Sequence, residues 1–211
     1  ISSKNCENLM DRWILAYSHG LIKFVREEME RLIKLLFWYL DYRLYTVVPR
    51  LVDFITDLAN WYIRLNRSRL KGNEGEEDQQ LSLSTLYSVL MNLSKMMMPF
   101  TPFFTENLYQ NLKKVLPEEE QEDSIHYTFF PEFDETLLDE DIERAVQTMQ
   151  TVIELGRVAR ERRNLSLKTP IKSVRIYASD EQAKEDILTL ESYIVEELNT
   201  MGISFTISHM Y

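Results

Sequence analysis

The spacing of apolar residues restricts the fold of this chain more than any other feature. In five long segments they recur at intervals of three and four, which is the repeat of an amphipathic helix. One segment carries two stripes, an apolar one at Leu51, Ile55, Leu58, Tyr62 and Leu65, and a polar one at Asn60, Arg64, Arg67 and Lys71. The pattern predicts a mostly α fold, an antiparallel helix bundle.

Glycine and proline mark the ends of the predicted helices. The chain has only five Gly and six Pro, which favours long helices over a turn-rich β fold. Pro49 and Pro102 suit helix starts, because proline is tolerated in a first turn. We expect helices from Asn5 or Asn8 to about 40, from Thr46–Pro49 to about Leu70, around 83–97, from Pro102 to about Val115, and from Asp139 or Asp141 to about 164. Their expected core positions include Leu83, Leu86, Leu90, Leu93 and Met97 in the third helix, and Phe104, Leu108, Leu112 and Val115 in the fourth.

The last part of the chain changes period. Residues 173–178 and 203–207 alternate apolar and polar side chains, as strands do, and Asp180 can cap a helix between them. This order predicts a small βαβ subdomain. We therefore divide the chain into a helical domain at 1–165 and an α/β subdomain at 166–211. A sheet of two strands is only marginally stable by itself, so we expect it to pack against the helices or to continue beyond Tyr211.

The charge is uneven along the chain. The formal net charge of −10 argues against a general nucleic-acid binder. However, residues 1–72 carry 12 Lys and Arg against 8 Asp and Glu, residues 73–145 carry 4 against 17, and residues 146–211 carry 8 against 9. Two basic clusters thus flank an acidic middle, which permits a localised polyanion site. The alternative is that cations at a helix end only complement the helix macrodipole.

No catalytic or metal-binding pattern stands out in the residues. The single Cys6 excludes an intrachain disulfide and a Cys-rich zinc site, and it favours a reducing, intracellular compartment. There is no secretory signal and no uncharged apolar run long enough to cross a membrane. Glycine-rich phosphate loops and nucleophile motifs are lacking, and His126 has no catalytic partner at a suitable spacing. We expect no catalytic residue and no metal here, and the start at Ile1 suggests a piece of a longer chain.

Seven short blocks in one order carry a family resemblance. They are LMDRWIL at 9–15, YRLYTVVP at 42–49, NWYIR at 60–64, LKG at 70–72, MPFTPF at 98–103 with Glu106, SIHY at 124–127, and ELGRV at 154–158 with LKTP at 167–170. Together they resemble the anticodon-binding region of class I aminoacyl-tRNA synthetases, in particular the eukaryotic-type cytosolic isoleucyl enzymes, with the valine and leucine enzymes as alternatives. The segment from Glu30 to Asp41 looks like an insertion relative to that family.

The resemblance implies a tRNA-binding module. An upstream domain of the parent enzyme would charge tRNA(Ile) with isoleucine, using ATP with magnesium, and neither signature of that domain is present in this chain. No cofactor is expected in the fragment itself. The implied partners are tRNA(Ile), the upstream catalytic and downstream C-terminal domains, and a multi-synthetase assembly in the cytoplasm, without a membrane.

The expected contacts with tRNA combine cations with an aromatic ring. Cations neutralise phosphates, and Trp61, if exposed, could stack on an unpaired base. The candidate residues are Asn60, Trp61, Arg64, Arg67, Arg69, Lys71, Arg157, Arg160, Arg162, Arg163 and Lys168. Core packing is the alternative for the aromatic residues, and it is the one we expect for Tyr62.

Two other functions stay open at this point. The apolar run at 32–40 suits burial, and otherwise it would offer a surface for a helical protein-interaction module. A bundle that only braces the neighbouring domains of a synthetase is the other alternative.

Overall fold

The computed structural model describes residues 20–39, 44–132, 139–178 and 180–207. These residues fall into two compact units, one within Ile1–Leu138 and one within Asp139–Tyr211. The first unit is helical and the second contains a long helix and two strands. The predicted fold class, mostly α with a small βαβ end, is confirmed. The start of the first predicted helix, at Asn5 or Asn8, lies outside the described residues.

Successive helices pack on one another to build the first unit. They are α1 (Gly20–Tyr39), α2 (Leu44–Asp57), a π-helical turn (Leu58–Ile63), α3 (Arg67–Leu70), α4 (Glu76–Met97) and α5 (Pro102–Leu112). Helix α1 packs on α2 and α4, and α4 also packs on α3 and α5. Short 3-10 turns follow at Lys113–Val115, Glu118–Glu120 and Ile125–Tyr127.

The segment that looks like an insertion, which begins at Glu30, belongs to α1 as far as Tyr39. Leu32 and Ile33, at the start of the apolar run, are buried. The burial predicted for these two residues is therefore confirmed, whereas Lys34 is exposed, and the side chains of residues 35–40 lie outside the described residues.

The helix predicted from Thr46–Pro49 to Leu70 differs from the observed one at its start and in its middle. Helix α2 begins at Leu44, two residues before Thr46, so Pro49 lies beyond the first turn. A proline there removes one backbone hydrogen bond, which a helix can lose near its first turns more easily than in its centre. The π-helical turn then replaces α-helical geometry between Leu58 and Ile63.

The π-helical turn brings two adjacent aromatic residues into the core. Trp61 and Tyr62 are both buried, and the hydroxyl of Tyr62 donates to the carbonyl of Ser82 at 3.1 Å. A π turn is wider than an α turn, so neighbouring side chains diverge less around the axis. The core position expected for Tyr62 is confirmed.

The buried face of α4 agrees with the predicted one only in part. Leu93 is buried as expected, and Leu86, Leu90 and Met97 are half-buried. Leu83, which we expected in the core, is 45% exposed. The residues that α4 buries are Ser82, Thr85, Val89, Met91, Leu93, Ser94 and Met96. The hydroxyls of Ser82 and Thr85 donate to carbonyls of their own helix at 3.0 and 3.1 Å. Both hydroxyls are therefore buried with a hydrogen-bond acceptor. Small side chains at these positions admit the ring of Tyr62.

Helix α5 begins as predicted but buries other residues. It starts at Pro102 after Thr101. Phe104 and Val115, both expected in the core, are exposed, whereas Tyr109 is fully buried. Tyr109 forms a small cluster with Met91 and Ile125. The expectation for Phe104 was wrong because its position in the helix points away from that cluster.

The second unit consists of a long helix packed on the helices that connect two parallel strands. Its elements are α6 (Glu140–Arg162), β1 (Val174–Ala178), α7 (Glu181–Thr189), α8 (Glu191–Glu197) and β2 (Ile203–Ile207). The strands pair in parallel from Val174 opposite Ile203 to Ala178 opposite Ile207. The βαβ order is confirmed, although the helix between the strands divides at Leu190.

Helix α6 packs within the second unit. We expected it in the domain at 1–165, yet its contacts are with α7 and α8. At Gly156 helix α6 closely approaches Leu198, the buried residue that follows α8. A Cβ at position 156 would lie 2.6 Å from a terminal carbon of Leu198. The compact units therefore divide between Leu138 and Asp139 and not at 165. Throughout the described parts of the chain, the helices are too short or too polar to cross a membrane.

Candidate nucleic-acid interface

The first basic cluster lies at the π-helical turn and just after it. Asn60, Arg64, Arg67 and Lys71 are all exposed. On the opposite side Leu51, Leu58, Tyr62 and Leu65 are buried, whereas Ile55 is only half-buried. The predicted division into a polar and an apolar stripe is therefore confirmed except at Ile55. The helix therefore presents three cations and one amide to solvent while its other face is fixed in the core.

Arg69 belongs to the interior of the same cluster. It is buried, and its Nε and Nη2 donate to the two carboxylate oxygens of Asp78 at 2.7 and 2.6 Å. Its Nη1 donates to Oδ1 of Asn66 at 2.9 Å. This bidentate pair joins α3 to the first turn of α4 and neutralises the charge of Arg69. Arg69 thus fixes the surface and does not offer a charge to a ligand.

Trp61 does not meet the condition set for stacking on a base. Its side chain is 8% exposed and packs in the core with Leu58 and Tyr62. At this exposure the face of the ring is not open to a base. The contacts available on this surface are therefore those of the exposed cations and of Asn60.

The second basic cluster, at the end of α6, contains two arginines with structural partners. Arg157 Nη2 donates to the carboxylate of Glu197 at 2.6 Å, which ties α6 to the end of α8. Arg160 is buried, and its Nη2 donates to the carbonyls of Ser166, at 2.8 Å, and Thr169. These bonds hold the turn that follows α6.

The remaining cations of the second cluster are exposed. Arg162, Arg163 and Lys168 all face solvent. Asn164, with a φ of +52°, ends the helix, and the side chain of Asn199 donates to the carbonyl of Leu167 at 2.9 Å. A left-handed residue after a helix is a common C-terminal cap. The exposed loop is therefore anchored at several points.

Two further exposed cations continue this surface and were missing from the predicted site. Lys172 and Arg175 are exposed, and Arg175 lies on β1. The run 162–179 carries five cations and no acidic residue in a chain with a net charge of −10. That acid-free run is the sequence signal that would have added them.

Elsewhere the first unit offers acidic surface. A cleft of about 360 Å³ between α1 and α2 is lined by Glu28, Leu32, Arg50, Asp53, Phe54, Thr56 and Asp57. Burial, and then the neighbouring carboxylate of Asp53, raise the pKa of Asp57. The carboxylates of Glu28, Asp53 and Asp57 outnumber the one cation of the cleft, Arg50, so the cleft would repel a phosphate. Over the described residues, no group of three or more His, Cys, Asp and Glu side chains is placed to hold a metal ion.

The arrangement suits a polyanion with a regular backbone. Exposed cations on anchored elements can neutralise phosphates at fixed positions, whereas the buried arginines hold those elements in place. The exposed amide of Asn60 can both donate and accept hydrogen bonds. Neither cluster contains a nucleophile with an adjacent base, so the chemistry supported is binding.

Comparisons with known proteins agree with each other. A family model described as the anticodon-binding domain of tRNA ligase matches residues 11–176. A probable cytoplasmic isoleucine-tRNA ligase of Dictyostelium discoideum is 52% identical over 200 residues, covering 95% of this chain and 18% of that protein. The cytoplasmic isoleucine-tRNA ligases of Mus musculus and Saccharomyces cerevisiae are 46% and 43% identical, over 94% and 97% of this chain and 15% and 19% of theirs. The chain spans less than a fifth of the length of these curated relatives.

Proposed function

Because the chain belongs to the family of anticodon-binding domains of tRNA ligases, we propose that it is the tRNA-binding module of an isoleucine-tRNA ligase. It contacts tRNA(Ile) on the anticodon stem-loop side. Relatives named as isoleucine-tRNA ligases, 43 to 52% identical over nearly the whole chain, support the choice of amino acid.

The observation that carries this proposal is that the first cluster combines one buried, paired arginine with three exposed cations. Arg69 is buried against Asp78, whereas Arg64, Arg67 and Lys71 are exposed on the same short stretch. The buried pair holds α3 against α4 and so fixes the backbone that carries the exposed cations. The exposed charges bind phosphates, and Asn60 adds a hydrogen-bonding group beside them.

The second unit contributes a separate contact through its acid-free run. Arg162, Arg163 and Lys168, with Lys172 and Arg175, bind backbone phosphates of the same RNA. Acidic surface in the remainder of the chain repels RNA from other faces, which confines binding to the two clusters.

The activity of the whole protein belongs to residues outside this chain. Isoleucine is activated with ATP and magnesium in an upstream domain, in the cytoplasm, and the module works beside that domain and a C-terminal one, with a multi-synthetase assembly as a further setting. Substitutions in the two clusters should therefore change tRNA binding and leave isoleucine-dependent exchange between ATP and pyrophosphate at its wild-type rate.

Charge reversal in the first cluster tests the proposal. In the full-length protein, Arg64→Glu together with Arg67→Glu should weaken tRNA binding about tenfold or more, which is about 1.4 kcal/mol, because two attractive contacts become repulsive. Filter binding at fixed salt measures the affinity.

The matched control is Lys114→Glu, which reverses an exposed cation of the same unit outside both clusters. It should leave tRNA affinity within twofold of wild type. If the Arg64 and Arg67 variant binds tRNA as tightly as this control, the proposed role of the first cluster is wrong.

A further inference from the structure

Four aromatic side chains of the first unit are exposed to an unusual degree. Phe103 and Phe129 are 90% and 91% exposed, and Phe104 and Tyr127 are 61% and 69% exposed. Single exposed apolar residues are common, but several large rings on neighbouring segments mark an interaction surface. The tRNA-binding proposal gives these rings no role.

Hydrogen bonds hold the two segments that carry the rings side by side. The carboxylate of Glu106, one helical turn after Phe103, accepts from the hydroxyl of Ser124 at 2.8 Å and from the N–H of Ile125 at 3.0 Å. The 3-10 turn Ile125–Tyr127 packs on α5. The rings before Glu106 and after Ile125 therefore project from one fixed region, which we call the aromatic surface and define as Phe103, Phe104, Tyr127 and Phe129.

The charges around the aromatic surface do not suit RNA. Residues 99–132 contain seven acidic residues against two cations, Lys113 and Lys114. The ammonium of Lys113 donates to the carbonyls of Glu122 and Asp123 at 3.2 and 3.4 Å. A site for single-stranded nucleic acid combines aromatic rings with cations that follow the backbone. Here acidic residues outnumber cations, so a phosphate backbone would be repelled, and the exposed rings fit an apolar protein surface.

The size of the surface favours a tethered partner over a separate one. Four rings exposed to this degree offer roughly 600 Å², if a free aromatic side chain presents about 200 Å². A stable complex between separate proteins covers about 800 Å² on each partner. A smaller contact is sufficient between domains of one polypeptide, because the covalent link supplies a high effective concentration.

We propose that the aromatic surface packs against an apolar face of the same longer polypeptide, in a part that lies outside this chain. The relatives give that part ample length, since this chain spans only 15 to 19% of them. The inference rests on the portion of the proposed function that sets the chain within a longer ligase, and it is independent of the tRNA contacts.

Hydroxyl-radical footprinting of the full-length protein, without tRNA and at low concentration, tests this packing. The phenylalanines provide their own controls, since Phe24 and Phe54 are each 6% exposed and share the intrinsic reactivity of the other rings. The proposal predicts that Phe103 and Phe129 are oxidised as slowly as Phe24 and Phe54. If Phe103 and Phe129 are oxidised fastest, the proposal is overturned.

Two further arms identify the occupant. Protection that appears only when tRNA is added would assign the surface to RNA, and protection that appears only at high protein concentration would assign it to a second copy. Either result overturns the proposal. Protection that is independent of both supports it.

A variant provides a second measurement. Phe103→Ser with Phe129→Ser should lower the melting temperature of the full-length protein by roughly 3 °C or more, whereas Val52→Ser, at a half-exposed position of α2, should change it by less than about 1 °C. An unchanged melting temperature for the Phe variant contradicts the proposal. Weak tRNA binding by wild-type protein would instead count against the proposed function, so the two failures are distinguishable.

Discussion

Arg67 and Arg69 lie two residues apart and have opposite environments. Arg67 faces solvent, whereas Arg69 is buried with both carboxylate oxygens of Asp78 and the amide of Asn66 as acceptors. Residue type alone does not separate them, because the difference arises from helical phase and from a carboxylate nine positions away. The candidate residues that were buried, Trp61, Arg69 and Arg160, were proposed from their type and could only be placed by the structure.

Removing Arg69 should destabilise the first unit. Arg69→Ala leaves Asp78 and Asn66 without their shared donor, and we expect the free energy of unfolding to fall by about 2 to 3 kcal/mol. Urea unfolding followed by circular dichroism measures the change.

Arg67→Ala is the control for this prediction, because an exposed side chain with no role in packing changes stability by less than about 0.5 kcal/mol. Equal free energies of unfolding for the two variants would show that the buried pair with Asp78 adds nothing to stability.

At the scale of elements, Glu106 connects α5 to the segment 124–127. Hydrogen bonds from the side chains of Gln110 and Ser124, with that from the N–H of Ile125, hold the pKa of Glu106 below its ordinary value. A carboxyl with a lowered folded-state pKa stabilises the fold above its unfolded pKa of about 4.3 and loses that contribution as pH falls through the folded value.

Glu106→Gln should therefore lower the urea midpoint at pH 7, and the difference from wild type should shrink as the pH falls below about 4.3. Urea titrations at several pH values measure this. Glu119→Gln, which replaces an exposed carboxylate of a 3-10 turn, is the control and should follow wild type throughout. A difference between Glu106→Gln and wild type that stays constant down to about pH 3 would contradict the assignment.

Local chemistry predicted where several elements begin, but not which faces they bury. Asp139 and Asp180 accept bonds from the N–H groups at the starts of α6 and α7, as their sequence positions indicated. Leu83 and Phe104 were misplaced, because apolar periodicity cannot show that a serine bonded to its own helix will be buried in place of a leucine. The π-helical turn left no signal in the sequence, since the apolar stripe continues through it.

At the scale of the molecule, the basic residues divide between the two units. The first cluster lies within Ile1–Leu138 and the second within Asp139–Tyr211. The uneven charge predicted both clusters from the sequence, because a short cationic run stands out in an acidic chain. Composition could not predict that α6 belongs to the same compact unit as the two strands. That arrangement depends on contacts of α6 with α7 and α8, and on the close packing of Leu198 against Gly156.

The salt dependence of tRNA affinity in the full-length protein tests the central claim most directly. Neutralising five exposed cations, by the substitutions Arg67→Gln, Lys71→Gln, Arg162→Gln, Arg163→Gln and Lys168→Gln, should weaken binding. It should also flatten the plot of log affinity against log salt by about 0.7 to 0.9 for each phosphate that the protein no longer neutralises, and by up to roughly 4 in all. Wild-type affinity and a wild-type slope in this variant would contradict the account.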